Sequence, residues 1–341
     1  MTSDIARARW WLAYPVAICL LALLDFALDF WHPFPARLPE QFSPAYLSLY
    51  LRDVPRGKPV VAFLGDSVLW GYKINQTDSA VADLQRDVPG AQMLNLSYEG
   101  GSIPNSEVML RTLLHSGLRP AGIVLQINMK EFNQVDSAYR TLHPSLERAA
   151  TDLLTPDDRR VLQMHAPTDL NAKLNRFVER IWQFYRFRSD LREKIFGTDD
   201  MADALVNAAK RITGTAAAEE LAHRPTTEKF LSPYDLAPID RQNVGMEYYQ
   251  QLMRELCAAK VPTLVFLTPT NHRLLHDYID VPEYDENLRR LMAVPHCGAI
   301  RIVNLDRLIP SRMFLDNDHL DRDGQRILAA RLLPHVRSVA Q

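Results

Sequence analysis

An α/β fold with a parallel sheet is what this sequence predicts, from three observations. Short runs rich in β-branched and aliphatic residues recur at 59–64, 93–96, 122–127, 262–268 and 301–305, each bounded by turn residues. Helical patterns lie between them, at 106–115, 246–259 and 324–336. Strands that alternate with helices imply a parallel sheet covered on both faces, a three-layer α/β/α arrangement. The third observation is a gap. Residues 134–243 are far too many for one crossover and hold helical segments near 157–164, 170–196 and 200–211, with no convincing strand. That stretch reads as a helical insertion in one α/β domain spanning 58–341.

Composition narrows the function classes. The 341 residues carry 39 Lys+Arg against 41 Asp+Glu, a net charge of −2, which removes the basic excess that nucleic-acid binding needs. Hydrophobic residues at 47% and charged residues at 23% are globular values and argue against disorder. The three cysteines, Cys19, Cys257 and Cys297, form no Cys-x-x-Cys and no Cys/His run, so neither a zinc site nor a disulfide scaffold is expected. No metal or cofactor is expected elsewhere in the chain.

The first 31 residues are the exception to this even composition. Arg7 and Arg9 precede an uncharged run from Trp10 to Leu24, and Asp25 and Asp29 follow among Phe26, Leu28, Phe30 and Trp31. A helix over 10–31 would extend ~32 Å at about 1.5 Å per residue, enough to span a bilayer core. Trp10, Trp11 and Tyr14 at one end and Phe30 and Trp31 at the other suit the two interfaces. The arginines place the amino terminus in the cytoplasm and the rest of the chain outside it. A cleaved signal peptide is the first rival, but no small-x-small site follows Leu24. A buried amphipathic helix with Asp25 and Asp29 on its wet face is the second. The expected organisation is therefore a tail and inner-membrane anchor over 1–31, with an extracytoplasmic domain beyond it. An oxidising compartment then permits, without requiring, a bridge between Cys257 and Cys297.

Residues 32–57 hold Pro33, Pro35, Pro39, Pro44 and Pro55 around a short helical candidate at 45–52, and read as a spacer. Within the insertion, 173–188 is distinctive. Phe177, Ile181, Phe184, Phe187 and Leu191 recur at helical spacing, while Arg176, Arg180, Arg186, Arg188 and Arg192 carry charge. Two readings stand: a core-facing helix with a solvated basic side, or a face that docks on anionic headgroups or a membrane partner.

Chemistry enters directly after the first strand, at Gly65-Asp66-Ser67. A serine where a buried strand enters a helix projects its hydroxyl into the cleft that forms at the carboxyl ends of such sheets. It is a weak nucleophile until a base takes its proton. Asp and Ser are also good helix caps, which is the plainer account of this tripeptide. A base is available at the far end of the chain. Asp316 and His319, three apart after the last strand, can set a carboxylate against one imidazole nitrogen and leave the other for Ser67. Asp318 is an alternative orienter, though its adjacency to His319 makes that contact harder.

These blocks resemble the SGNH (GDSL) hydrolase superfamily: Gly65-Asp66-Ser67 first, Asn95-Leu-Ser-Tyr-Glu-Gly-Gly101 second, and Asp316-Asn-Asp-His319 last. The resemblance covers about residues 59–133 and 246–336. It implies Ser67 as nucleophile, His319 as base and Asp316 as its orienter. It also implies an oxyanion hole from the Ser67 N–H, the Gly100 N–H and an asparagine side chain, each donor bringing about 3–4 kcal/mol. The third block departs from the family's Gly-x-Asn-Asp: the chain reads Gln126-Ile-Asn-Met-Lys-Glu-Phe-Asn133. Asn128 is the candidate asparagine, with Lys130 and Asn133 as other occupants of that place. Asn271 and His272, after the fourth strand, either contact a sugar or acyl donor or form a turn begun by Pro269.

Anchored members with helical additions resemble the extracytoplasmic partners of membrane-bound O-acyltransferases. The resemblance therefore implies acyl transfer or ester hydrolysis on O-acyl groups of an exported polysaccharide or envelope glycan. A free-standing carbohydrate or lipid esterase, and a non-catalytic subunit that keeps the fold, remain as alternatives.

Overall fold

The structure, a computed structural model, describes residues 14–23, 26–27, 35–40, 42–134, 137–162, 178, 182, 185, 232–234, 236–240 and 242–340. Five strands, β1 (Val60–Leu64), β2 (Gln92–Asn95), β3 (Gly122–Ile127), β4 (Thr263–Leu267) and β5 (Ile300–Asn304), form one parallel sheet in the order β2-β1-β3-β4-β5. They fall on the five predicted runs. β1, β3 and β4 are buried at every position, as strands covered on both sides must be.

Alternate residues face opposite cores. Val61, Phe63, Val124, Leu264 and Phe266 pack to one side, and Ala62, Leu64, Leu125, Val265 and Leu267 to the other. The helices relevant to the site are α1 (Pro44–Arg52), α2 (Ser67–Trp70), α3 (Ala80–Asp87), α4 (Ile103–His115), α5 (Val244–Ala259), α6 (His272–Ile279) and α7 (Arg322–Val339). α3 and α7 cover the first face through Val81, Leu84, Leu328, Leu332 and Val336. α1, α4 and α5 cover the second through Tyr50, Met109, Leu113, Leu252 and Leu256. Three layers result, as the alternation predicted.

The order reverses between β1 and β3, so their carboxyl ends open the crevice where such sheets place a site. Ser67 follows β1 and Asn128 follows β3.

The stretch expected to be a spacer is instead part of the domain from Arg37 onward. Arg37, Leu38, Phe42, Leu47, Tyr50, Leu51 and Val54 are buried. Ser43 caps α1 by accepting the Tyr46 N–H, with Pro44 in the first turn, where its missing N–H costs nothing. Residues 37–54 thus form a strap over the core, with Pro39 buried among them.

Of the expected anchor, residues 14–23 are helical, and Tyr14, Val16, Ile18, Leu20, Leu21 and Leu23 are each more than half exposed. No helix among the described residues is long and apolar enough to cross a membrane. The rest of the 10–31 segment, apart from residues 26–27, lies outside those residues.

The described parts of the insertion include short helices at Pro144–Ala149 and Pro156–Val161. Leu146, Leu154, Tyr234 and Ile239 join the second core from it. The predicted helices at 170–196 (three isolated residues apart) and 200–211, with all five arginines of the basic stripe, lie outside the described residues.

Candidate active site

The turn that carries Ser67 is shaped by what surrounds Gly65. A Cβ on Gly65 would lie 2.5 Å from Gln126 Oε1, so a side chain there would displace the β3 glutamine. Gln126 is the residue that locks the turn. Its Oε1 accepts the Asp66 and Leu69 N–H groups at 3.2 and 3.3 Å, and its Nε2 donates to Asp66 Oδ1 at 2.6 Å and to Thr268 Oγ1 at 3.0 Å. Asp66 caps α2 through the Val68 N–H at 2.8 Å. Ser67 is the first residue of that helix, so its own N–H has no intrahelical acceptor. Segment 98–101 closes on the same turn: a Cβ on Gly101 would meet Gly65 O at 2.5 Å. Gly100, the neighbouring candidate donor, has φ +74°, and nothing stands within 4 Å of where its Cβ would be.

At the other end of α2, Arg37 donates to Trp70 O at 2.6 Å and Gly71 O at 2.7 Å, and Trp70 Nε1 donates to Leu38 O at 2.6 Å. The helix that carries Ser67 is thus held at its start by β3 and at its end by the strap.

The three residues expected to act together are together. Ser67 Oγ lies 2.7 Å from His319 Nε2. His319 Nδ1 lies 2.8 and 2.9 Å from the two oxygens of Asp316. Asp316 Oδ1 also accepts the His319 backbone N–H at 3.0 Å, which fixes the carboxylate against the ring. Tyr72 covers the imidazole, with ring centroids 4.4 Å apart. Burial pushes the His319 imidazolium down. The charge of Asp318 and the bond and charge of Asp316 push it up, Lys130 opposes them, and the net pKa lies above the usual histidine value.

The asparagines are placed differently from the sequence expectation. Asn128 is fully buried, and both of its amide hydrogens are taken, by Asp66 Oδ2 at 3.0 Å and Asp318 Oδ2 at 2.6 Å. Its Oδ1 accepts from the Tyr234 hydroxyl at 3.3 Å. In this arrangement it offers no free donor to an oxyanion. Asn133 donates to Pro233 O.

Asn271 lies beneath the His319 loop rather than at a mouth. It caps α6, its Nδ2 donates to Asp316 O at 2.8 Å, and its N–H donates to Asn317 O at 2.8 Å. His272 is held by Asp306 at 2.9 Å, and Asp306 also accepts from Tyr284. Asn271 braces the loop that carries Asp316 and His319, whereas His272 ties α6 to the segment after β5.

Lys130, the other occupant considered for the oxyanion place, binds Asp318, and its Nζ is 4.0 Å from Asp66 Oδ2. Asp316, Asp318 and His319 could together reach one cation. The Lys130 ammonium already stands on the Asp318 carboxylate. Gln126, Arg37 and Lys130 are the site residues that sequence reasoning missed or left without a role. The one signal for two of them was the departure of 126–133 from the family pattern.

No family model matches the sequence, and no curated protein matches it. Among solved structures, it is similar to a member of the lipolytic protein G-D-S-L family from Veillonella parvula DSM 2008. Identity is 11% and the TM-score 0.37, over 82% of this chain and 97% of that one. A second is LAE5, an alpha/beta hydrolase enzyme from the metagenome of Lake Arreo, Spain, with 11% identity and a TM-score of 0.38 over 83% and 96%. Likenesses this distant carry no argument about activity, and the chemistry rests on the site's own geometry.

Proposed function

We propose that the protein is a serine hydrolase-type esterase or O-acyltransferase. Its substrates are O-acyl groups, O-acetyl foremost, of an exported polysaccharide or cell-envelope glycan. The observation that carries the reading is the chain Ser67 Oγ, His319, Asp316, with successive contacts of 2.7 and 2.8 Å. Such an array forms an acyl-enzyme. Ser67 Oγ bonds to the ester carbonyl carbon as its proton passes to His319 Nε2, while Asp316 holds the ring and balances its charge. The Ser67 N–H, which has no intrahelical acceptor, and the Gly100 N–H, as the family resemblance implies, receive the oxyanion. Collapse breaks the C–O bond, and the leaving alcohol takes the proton from His319. Water then completes hydrolysis, or a sugar hydroxyl completes transfer, with His319 again as base.

Three features support an anchored, extracytoplasmic setting. Arg7 and Arg9 precede the apolar run, the helical residues 14–23 leave their apolar side chains uncovered, and Cys257 and Cys297 are disulfide-bonded. In that setting a membrane-bound O-acyltransferase is the partner that would supply acyl groups. A second reading, a non-catalytic subunit that keeps the fold, is favoured by one observation: the Asn128 amide is consumed by two carboxylates.

Fluorophosphonate labelling of the full chain in detergent separates the two. Labelling that Ser67→Ala abolishes supports the enzyme. An unlabelled, folded protein supports the subunit. Mass spectrometry of the exported glycan then distinguishes the reactions: Ser67→Ala lowers acylation if the protein is a transferase and raises it if it is an esterase.

A further inference from the structure

Behind the imidazole lies a second carboxylate that the reading above does not use. Asp318 is fully buried. Its Oδ2 accepts from Asn128 Nδ2 at 2.6 Å and pairs with Lys130 Nζ. Its Oδ1 accepts no hydrogen bond and lies 3.5 Å from His319 Nδ1. Asn128 joins Asp318 to Asp66, the cap of α2, so the carboxylates behind His319 and beneath Ser67 share one amide and one ammonium.

We propose that Asp318 and Lys130 are positioning residues for the His319 base. Asp318 is a second anionic partner of the imidazolium, and Lys130 holds that carboxylate in place and neutralises part of its charge. The proposal rests on the reading of Ser67 and His319 given above.

The distances assign the roles. At 3.5 Å the Asp318 oxygen is too far for a strong hydrogen bond, whereas Asp316 makes one. Asp318 therefore acts through charge, which in a buried site is poorly screened. A buried carboxylate without a partner is costly, and the Lys130 ammonium removes that cost. Asp318 is accordingly held well below the usual carboxylate range by Lys130 and His319, against burial, and remains an anion.

The charged and titratable groups that face His319 come from four places. Asp316 and Asp318 lie on its own loop, Lys130 follows β3, Glu99 follows β2, and Tyr72 follows α2. The Glu131 carboxyl, beside Asp66 and Lys130, is pushed well above the usual carboxylate range by burial. Asp318 raises the proton affinity of His319 and Lys130 lowers it, with the effect of Asp318 the larger.

The test is a histidine side-chain NMR titration of the full chain, with the His319 signal assigned by its loss in His319→Ala. Asp318→Asn should move the His319 midpoint to lower pH, and Asp318→Asn with Lys130→Met should fall between that variant and the native chain. The titration is repeated in a Ser67→Ala background, so it reads the imidazole whether or not the protein turns over an ester.

In the active chain, Asp318→Asn should also shift the acid limb of the labelling rate the same way. It should lower the plateau rate about tenfold, the factor equivalent to about 1.4 kcal/mol. Lys130→Arg, which keeps the cation beside Asp318, should keep the native midpoint. If Asp318→Asn alone fails to fold, the double variant, which leaves no unpaired lysine, should still shift the midpoint below the native value, by less. An unchanged His319 midpoint in a folded variant lacking Asp318 overturns the proposal. Absence of labelling in the native chain overturns the hydrolase reading and leaves the titration to decide this one.

Discussion

Arg37 lies over the indole of Trp70, its guanidinium carbon 3.8 Å from the ring centroid, and donates to the carbonyls of Trp70 and Gly71. These are the last residue of α2 and its cap, so an element remote in sequence closes the helix that presents Ser67. Gly71 takes φ +88°, which ends the helix and aims its carbonyl at Arg37.

Arg37→Ala should therefore cost more than a surface arginine would. Trp70 O loses its donor, which costs about 1–3 kcal/mol for a buried group, Gly71 O is left with the Ile74 N–H alone at 3.3 Å, and the indole loses the cation above it. The expected result is a loss of about 2–4 kcal/mol in denaturant unfolding, together with slower fluorophosphonate labelling of Ser67. Unchanged labelling in a destabilised variant would show that the strap supports the fold without supporting the nucleophile.

The pH dependence of labelling follows from His319. The base must be neutral to take the Ser67 proton, and its pKa is raised above the ordinary 6.5. The rate should rise with pH through that raised pKa, so its acid midpoint lies above 6.5. Stability runs the other way: the fold favours the imidazolium, so this contribution is full below the unfolded pKa and lost as pH rises through the folded one. Labelling rate and urea midpoint, measured from pH 5 to 9, should move in opposite directions across that window.

The sheet was legible because strands buried on both faces are continuous apolar runs, such as Val60–Leu64 and Thr263–Leu267. The meeting of Ser67 with Asp316 and His319 was legible because the first block directly follows β1 and the last lies between β5 and α7, on the side where a parallel sheet makes its cleft. The asparagines were not. Whether Asn128 or Asn271 offers an amide to substrate depends on which neighbours reach it first. Asp66 and Asp318 claim one, and Asp316 O claims the other. Arg37 was hidden for a related reason: an arginine among prolines looks like a tether until its carbonyl partners, more than thirty residues away, are in place.

Asn271 acts on the loop from below. Asn271→Ala removes a helix cap and the donor to Asp316 O, and should cost about 1–2 kcal/mol of stability. Asn271→Ser keeps a capping oxygen and loses only the donor. Labelling should slow in both variants, while thermal stability should fall less in the serine variant. Equal, native labelling rates in both would mean that the Asp316–His319 geometry does not depend on this contact.

Cys257 lies in the last turn of α5, before β4, and Cys297 precedes β5, so their bond joins the amino-terminal rim of the sheet, opposite the Ser67 rim. The cysteines are separated by 40 residues, with Cα atoms 5.8 Å apart. Closing a loop of that length stabilises a fold by up to about 4 kcal/mol in the chain-entropy account. Reduction, or Cys257→Ala with Cys297→Ala, should lower the Tm by about 5 °C or more. Labelling of Ser67 well below the transition should stay native, because the bond lies at the far end of the strands from the reacting hydroxyl. A Tm insensitive to reductant would mean that the cysteines are unpaired in the native protein, and would remove the disulfide from the case for an extracytoplasmic domain.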